Sequence, residues 1–286
     1  MGKTINIKGE LLDLSSPIVM GILNVTPDSF YAGSRTPELS QILKRTEQIL
    51  AEEGTIIDIG AQSTRPNSGL LSAEDEIKRL RPALQAIRSE FADAILSIDT
   101  FYSETARFCV EEFGVDIIND ISGGEIDKMM FEVVAELNVP YILMHMRGTP
   151  QTMQQMTHYE NFLQEVFFYF SEKVAKLHLL GVNDIILDPG FGFSKNLRQN
   201  YELFNNLSFF KNFDLPLLVG VSRKSMITRL LDVNASEALN GTTALNTLAL
   251  ISGADILRVH DVKEAVETIR ITSELKDISN KENISV

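Results

Sequence analysis

"AILSIDT", Ala94 to Thr100, is an apolar run that ends in an acid and a hydroxyl, and "FYSETARF", Phe101 to Phe108, follows it with helical spacing. A strand with one face in water alternates apolar and polar residues, whereas a continuous apolar run predicts a strand covered on both faces, as in a parallel sheet. The same unit recurs along the chain. "PIVMGIL" (17–23), "TIIDIG" (55–60), "VDIINDI" (115–121) and "PYILMHM" (140–146) have this character, and so do "DIILDPG" (184–190), "PLLVGVS" (216–222) and "DILRVHD" (255–261). Each ends in polar or glycine residues, and a helical pattern follows.

The helical segments carry their own punctuation. Leu39, Ile42, Leu43, Ile49 and Leu50 share one face, with Thr36-Pro37 as cap and first-turn proline and Gly54 as the stop. "SAEDEIKRLRPALQAI" opens on Ser72 with Asp75 three residues on, in the manner of a capping box. Eight strand-then-helix units fill the 286 residues with no linker, low-complexity stretch or internal repeat. The expectation is one α/β domain over 1–286, a closed (β/α)8 TIM barrel, with an open doubly wound sheet as the alternative. Only the tail from about residue 275, within "ELKDISNKENISV", reads as loosely held.

Composition narrows the function classes. The chain has 39 Asp plus Glu against 26 Lys plus Arg, a net charge of -13. That field repels a phosphate backbone, so nucleic acid and anionic membrane are excluded as general partners, and any bound anion needs a local cluster of cations. The single cysteine, Cys109, rules out an internal disulfide and a cysteine-built zinc cluster, and its helical setting predicts a buried apolar role. The N-terminus lacks an apolar signal core and no stretch reaches transmembrane length, so a soluble cytoplasmic protein is expected.

In a (β/α)8 barrel the chemistry gathers at the C-terminal ends of the strands. Those ends carry Asn24, Asp58, Thr64 and Arg65, Asp99, Asn119, His145, Asp188, Ser222-Arg223-Lys224, Arg258 and His260. Several have ordinary readings. Asp99-Thr100 stands where a helix N-cap would stand, and Asp120 suits a cap on the next turn. Asp58 points away from Ile57 and Ile59 and reads as structural, and His145, between Met144 and Met146, reads as a satisfied near-core histidine. Asn119 lies in an apolar strand, where an amide needs partners. Arg258 and His260 are two apart in a strand and so share a face. They form either a salt bridge to a barrel carboxylate such as Asp255 or Asp261, or a phosphate clamp, which the strand position favours. "LDPGFGFSK" (187–195) has G-x-G but neither a dinucleotide fingerprint nor a P-loop, and Phe191 and Phe193 predict a loop lining an aromatic pocket. No histidine pair stands at zinc-ligand spacing, while a Mg²⁺ shared with substrate phosphate needs only one or two protein oxygens.

"MGILNVTPDSF", "STRP", "SIDT", "IINDIS", "LMHM", "LDPGFGF", "GVSRKSM" and "LRVHDV", in this order over roughly residues 17–272, resemble the dihydropteroate synthase family of pterin-binding enzymes. The resemblance implies condensation of 6-hydroxymethyl-7,8-dihydropterin pyrophosphate with p-aminobenzoate, giving 7,8-dihydropteroate and pyrophosphate in folate biosynthesis, assisted by Mg²⁺. It implies pterin binding by Asp99, Asn119, Met144, Asp188, Gly220 and Lys224. Pyrophosphate falls to Asn24, Thr64, Arg65, Arg258 and His260, with Asn24 also the metal ligand. Thr64, Arg65, Pro66, Phe193, Lys224 and Ser225 would frame p-aminobenzoate, and Asp99, Lys224, Arg258 and His260 would carry the chemistry. A homodimer is implied too. Lys224 is expected to reach a pterin carbonyl, and Arg223 to pair with an acidic neighbour.

Two loops depart from the family. Tyr31-Ala32-Gly33-Ser34 stands where Ser-Asp-Gly-Gly is usual, and Gly60-Ala61-Gln62-Ser63 where Gly-Gly-Glu-Ser is usual, so each loses a carboxylate. A Schiff-base lyase using Lys224 and a non-catalytic pterin binder are the competing classes. The binder has no need of the Arg258/His260 pair.

Overall fold

The chain folds so that the polar ends of its strands meet at one rim. The computed structural model describes residues 3–25, 35–62 and 70–282. A hairpin comes first, β1 (Thr4–Ile7) and β2 (Glu10–Asp13), joined by Lys8 and Gly9, both with positive φ, 51° and 92°. That two-residue left-handed connection matches the twist of the strands it joins.

Eight strands follow: β3 (Ile18–Asn24), β4 (Ile56–Gly60), β5 (Ile95–Asp99), β6 (Ile117–Asp120), β7 (Tyr141–Met144), β8 (Ile185–Asp188), β9 (Leu218–Val219) and β10 (Ile256–Val259). They pair in parallel in chain order, and β10 pairs back onto β3. The seam between β8 and β9 is closed by a bridge between Leu187 and Leu217, with the Leu187 N–H donating to the Pro216 carbonyl at 2.9 Å. The sheet is therefore a closed barrel, as the eight apolar runs predict.

The helices are α1 (Arg35–Ala51), α2 (Ala73–Glu90), α3 (Ser103–Phe113), α4 (Met130–Leu137), α5 (Phe162–Leu179), α6 (Leu197–Asn205), α7 (Ser225–Leu231), α8 (Leu239–Ser252) and α9 (Val262–Glu282). Ser72 caps α2, accepting from the Asp75 N–H at 3.1 Å. The Asp99-Thr100 cap does not form. Thr100 instead donates to Glu76 at 2.6 Å, and the Ser103 N–H at the start of α3 is taken by Asp127. The last helix runs to Glu282.

Period two along the strands sets the interior. Met20, Ile56, Ile117, Ile142, Ile186, Leu218 and Ile256 form an apolar plug near the N-terminal end, with Ile5 and Leu14 from the hairpin region closing it from below. Two residues further on, the same inward positions hold Ile22, Asp58, Asn119, Met144, Asp188, Gly220 and Arg258. One pleat separates a dry core from a polar floor. No helix among the described residues is long and apolar enough to cross a membrane.

Candidate active site

Arg258 organises the floor. Its Nε donates to Asp58 Oδ2 at 2.7 Å and one Nη to Asp99 Oδ2 at 3.0 Å, and Asn119 Nδ2 donates to the same Asp58 oxygen at 3.0 Å. Arg258 thus makes a salt bridge to barrel carboxylates, but not to the two the sequence suggested. Asp255 is taken by Lys3 at 2.8 Å, and Asp261 holds Arg223 through two bonds of 2.9 and 2.7 Å, the structural role expected for Arg223. Asp58, read as structural from its strand, is the central acceptor of the floor. The signal was available: it shares parity with the rim residues, two positions above the plug residue Ile56.

Two oxygens of this layer, Asp58 Oδ1 and Asn119 Oδ1, are buried and have no hydrogen-bond partner among the described residues. A buried acceptor without a donor is costly, so the floor is built to receive N–H groups from a ligand. Asp188 is 4 % exposed and accepts from the Gly190 N–H at 2.8 Å through Oδ1. Burial raises its pKa, against the pull of the Lys224 ammonium and the Gly190 hydrogen bond.

The ionisation of the rest follows from the same crowding. Burial pushes Asp99 up to about 7, Arg258 opposes this, and Asp58 and Glu76 add to the rise. Burial disfavours the Arg258 charge, but Asp58 and Asp99 outweigh it and hold the guanidinium more firmly than usual. The two partners thus pull in opposite directions. With a guanidinium at 3.0 Å and 17 % of its side chain still reaching solvent, Asp99 is better described as the ionised member of a pair. Lys224 is lowered to about 8, by burial first, with Asp188 working the other way. Its Nζ donates to the Phe191 carbonyl at 2.7 Å and lies 4.9 Å from the centre of the Phe193 ring.

His260 accepts or donates at Nδ1 to the Ser222 hydroxyl at 3.2 Å. Desolvation, then Arg258, drives its pKa down to about 4. The residue is exposed, so solvent weakens the first of these causes; Arg258 acts in the same direction, and the ring is neutral at pH 7. Asn24 is exposed at the end of β3, beside Gly60 of β4. Met144 is buried at the floor, and a methyl group added at Gly220 would lie 3.7 Å from Arg258 Cβ and 3.8 Å from Lys224 Nζ. Thr64, Arg65 and Pro66 lie outside the described residues, as do Tyr31, Ala32 and Gly33.

Beside Lys224 opens a cavity of about 330 Å³ lined by Met153, Gln154, Phe193, Lys224, Ser225 and Arg229, with the Phe191–Gly192 backbone as one wall. Phe193 lines it as expected, whereas the Phe191 ring turns into the core against Phe204 and offers its carbonyl instead. Met153, Gln154 and Arg229 were not anticipated, since nothing in their local sequence marks them. Gln62, where the family carries a carboxylate, accepts from the Leu71 N–H at 3.1 Å and donates to its carbonyl at 3.3 Å. An amide can make both contacts, whereas an ionised carboxylate can only accept.

The remaining candidates are structural. Asp120 accepts from the N–H groups of Ser122 and Gly124 and from the Tyr141 hydroxyl, closing a turn. Cys109 is buried, and burial pushes its thiol well above the usual range, so it is inert. His145 is 2 % exposed and bonded to Lys195.

Residues 20–260 match the family model described as pterin binding enzyme. A dihydropteroate synthase of Escherichia coli (strain K12) is 45 % identical over 278 residues, covering 96 % of this chain and 97 % of that one. The dihydropteroate synthase of Synechocystis sp. is 42 % identical over 90 % of this chain and 89 % of its own. Among solved structures, the Yersinia pestis dihydropteroate synthase with a sulfonamide drug complex superposes with a TM-score of 0.88 at 39 % identity, covering 96 % of this chain and 100 % of that one. The Thermus thermophilus dihydropteroate synthase with 4-aminobenzoate superposes at 0.85 and 32 % identity, with coverages of 96 % and 100 %.

Proposed function

The chain belongs to the dihydropteroate synthase family of pterin-binding enzymes, transferases of folate biosynthesis, and from that premise we propose how its residues divide the reaction. The observation that carries the proposal is the floor itself: carboxylate and amide acceptors, two of them unpartnered, set one pleat above a dry plug. A pterin presents alternating N–H donors and acceptors along one edge. Asp188 accepts two parallel bonds from its guanidine-like face, Asn119 and Asp58 take the neighbouring N–H groups, and Lys224 donates to the carbonyl.

The pyrophosphate then lies toward the rim, where Arg258 has donors left over from its two carboxylates and His260 and Asn24 stand nearby. When the C–O bond to pyrophosphate breaks, negative charge grows on the leaving oxygen and positive charge on the methylene conjugated to the pterin. Arg258 stabilises the first, and Asp99 and Asp188 the second. The arylamine of p-aminobenzoate, held in the cavity between Phe193 and Lys224 with its carboxylate toward Ser225, attacks the methylene. The C–N bond forms and the amine proton leaves to solvent. An arylamine is nucleophilic at neutral pH, so no strong general base is needed.

We assign Mg²⁺ to the same rim. An amide oxygen together with water and substrate phosphate is an oxygen donor set that suits a hard divalent cation. Asn24 is the residue that would hold it, and the ion would supply charge neutralisation at the departing pyrophosphate.

A cytoplasmic setting is supported by a pyrophosphorylated substrate, which does not cross a bilayer unaided. A homodimer is supported by exposed apolar side chains on two neighbouring helices, Leu248 and Ile251 of α8 and Ile271 and Ile278 of α9. Sulfonamide binding, as in the Yersinia pestis relative, belongs to the p-aminobenzoate cavity. The test of the residue roles is Asp188→Ala. It should abolish pterin binding and turnover while the circular dichroism and melting curve stay near wild type. Full turnover in that variant would contradict the assignment.

A further inference from the structure

Lys195 is a lysine with 3 % of its surface exposed and no carboxylate within ion-pair distance among the described residues. Burying a cation is expensive, and a lysine left without a counter-ion needs every donor used. Its Nζ lies 2.9 Å from His145 Nδ1, 2.9 Å from the Gly190 carbonyl, 3.0 Å from the Phe193 carbonyl and 3.2 Å from the His145 carbonyl. All four are backbone oxygens or an imidazole, and they come from two separate segments, the end of β7 and the loop after β8. Burial pushes its pKa well below the ordinary lysine value, and the N–H groups it carries are spent on these acceptors.

The loop it gathers needs fastening. Gly190, Gly192 and Ser194 all have positive φ, 72°, 83° and 45°, and serine is rarely comfortable there. A Cβ at Gly190 would fall 2.1 Å from the His145 carbonyl oxygen, so the backbones touch where Lys195 joins them. Ser194 is tied as well, its hydroxyl accepting from the Arg147 N–H at 3.0 Å and its carbonyl from the Tyr159 hydroxyl at 3.0 Å. Asn200 holds the Gly192 N–H at 2.6 Å. The same loop delivers the Phe191 carbonyl to Lys224 and sets the Phe193 ring beside it, which makes one wall of the 330 Å³ cavity.

We propose that Lys195 is a positioning residue for the arylamine half of the reaction. Its Nζ, by collecting the carbonyls of His145, Gly190 and Phe193, fixes the Phe191–Phe193 wall. This rests on the assignment of that cavity to p-aminobenzoate. A substrate wall that drifts by an ångström loses the alignment of amine and methylene, and alignment is a large part of what the site supplies.

The test uses this chain with Lys195→Met and Lys195→Gln, which fill the volume without the amine. Steady-state KM and kcat are measured for p-aminobenzoate, and equilibrium binding for the pterin pyrophosphate. In a folded variant, the p-aminobenzoate KM should rise at least tenfold, with kcat falling less and pterin pyrophosphate binding staying within about threefold. Combining Lys195→Met with Phe193→Ala should give a KM below the product of the two separate increases, because both changes act on one wall. An unchanged p-aminobenzoate KM, equal losses in both substrates, or independent effects in the double variant would overturn the proposal. So would failure of both variants to fold, since Lys195 would then serve folding alone. The underlying function is checked separately by the wild type: absence of p-aminobenzoate-dependent turnover there would fault the cavity assignment rather than the lysine.

Discussion

Lys224 shows how burial turns one side chain into a pH-dependent instrument. Its pKa of about 8 lies below the ordinary lysine value because the ammonium is desolvated. Below about 8 it is a cation, which on the proposed assignment holds the pterin carbonyl, and above that it loses the charge. The rate at limiting substrate should therefore be level near neutrality and fall as pH rises through about 8. Lys224→Arg, whatever its absolute rate, should remove that alkaline fall from the profile, and a profile with the same alkaline limb would show that another group titrates. The stability sign runs the other way. A folded pKa below the unfolded one destabilises at pH below about 8, and the penalty fades as pH rises toward 10.5. At this scale much of the site was legible, because an amide or carboxylate at the end of an apolar strand needs a reason to be there. Asp58 was misread: its place between Ile57 and Ile59 drew the structural reading, although its parity with Ile56 and the rim residues is the inward one.

At the scale of elements, the eight barrel strands could be read because both their faces are covered and their sequences are continuous apolar runs. The hairpin β1–β2 escaped that reading. Its strands are four residues each, only partly buried, and they close the barrel floor rather than join its sheet. The Lys8-Gly9 pair was the available signal, a two-residue turn with a glycine at its second position. Ile5, fully buried under the plug, is the hairpin's main anchor. Ile5→Ala should cost about 2–5 kcal/mol of stability, in the range for a buried isoleucine truncated to alanine, while both substrate KM values hold. Thermal or urea unfolding reads the first, and steady-state kinetics the second. A loss of affinity without a loss of stability would mean that the barrel floor reaches the site in some other way. The loop after β8 belongs to this scale too. Its G-x-G was visible, but its fastening by Lys195 depends on where β7 ends and could not be seen in a linear sequence.

The whole molecule is acidic, and its candidate site sets a few buried basic side chains against carboxylates and carbonyls. With a net charge of -13, the chain keeps Lys224, Arg258 and Lys195 among carboxylates and carbonyls rather than on an open basic surface. Such an arrangement admits a small anion and repels a polyanion. Assembly is a second property of the whole. If α8 and α9 form the interface between two copies, Ile251→Glu should give a monomer in light scattering behind size exclusion, because an unpaired charge at the centre of an apolar interface is strongly unfavourable. Persistence of a dimer would move the interface elsewhere. The central claim is that this chain couples pyrophosphate loss to capture of an arylamine. The measurement that tests it most directly is pyrophosphate release from purified protein given the dihydropterin pyrophosphate and Mg²⁺, with and without p-aminobenzoate. Release that rises with p-aminobenzoate and matches dihydropteroate formed, mole for mole, is the predicted result. Tight pterin binding with no p-aminobenzoate-dependent release would contradict it, leaving a pterin-binding barrel without the transferase step.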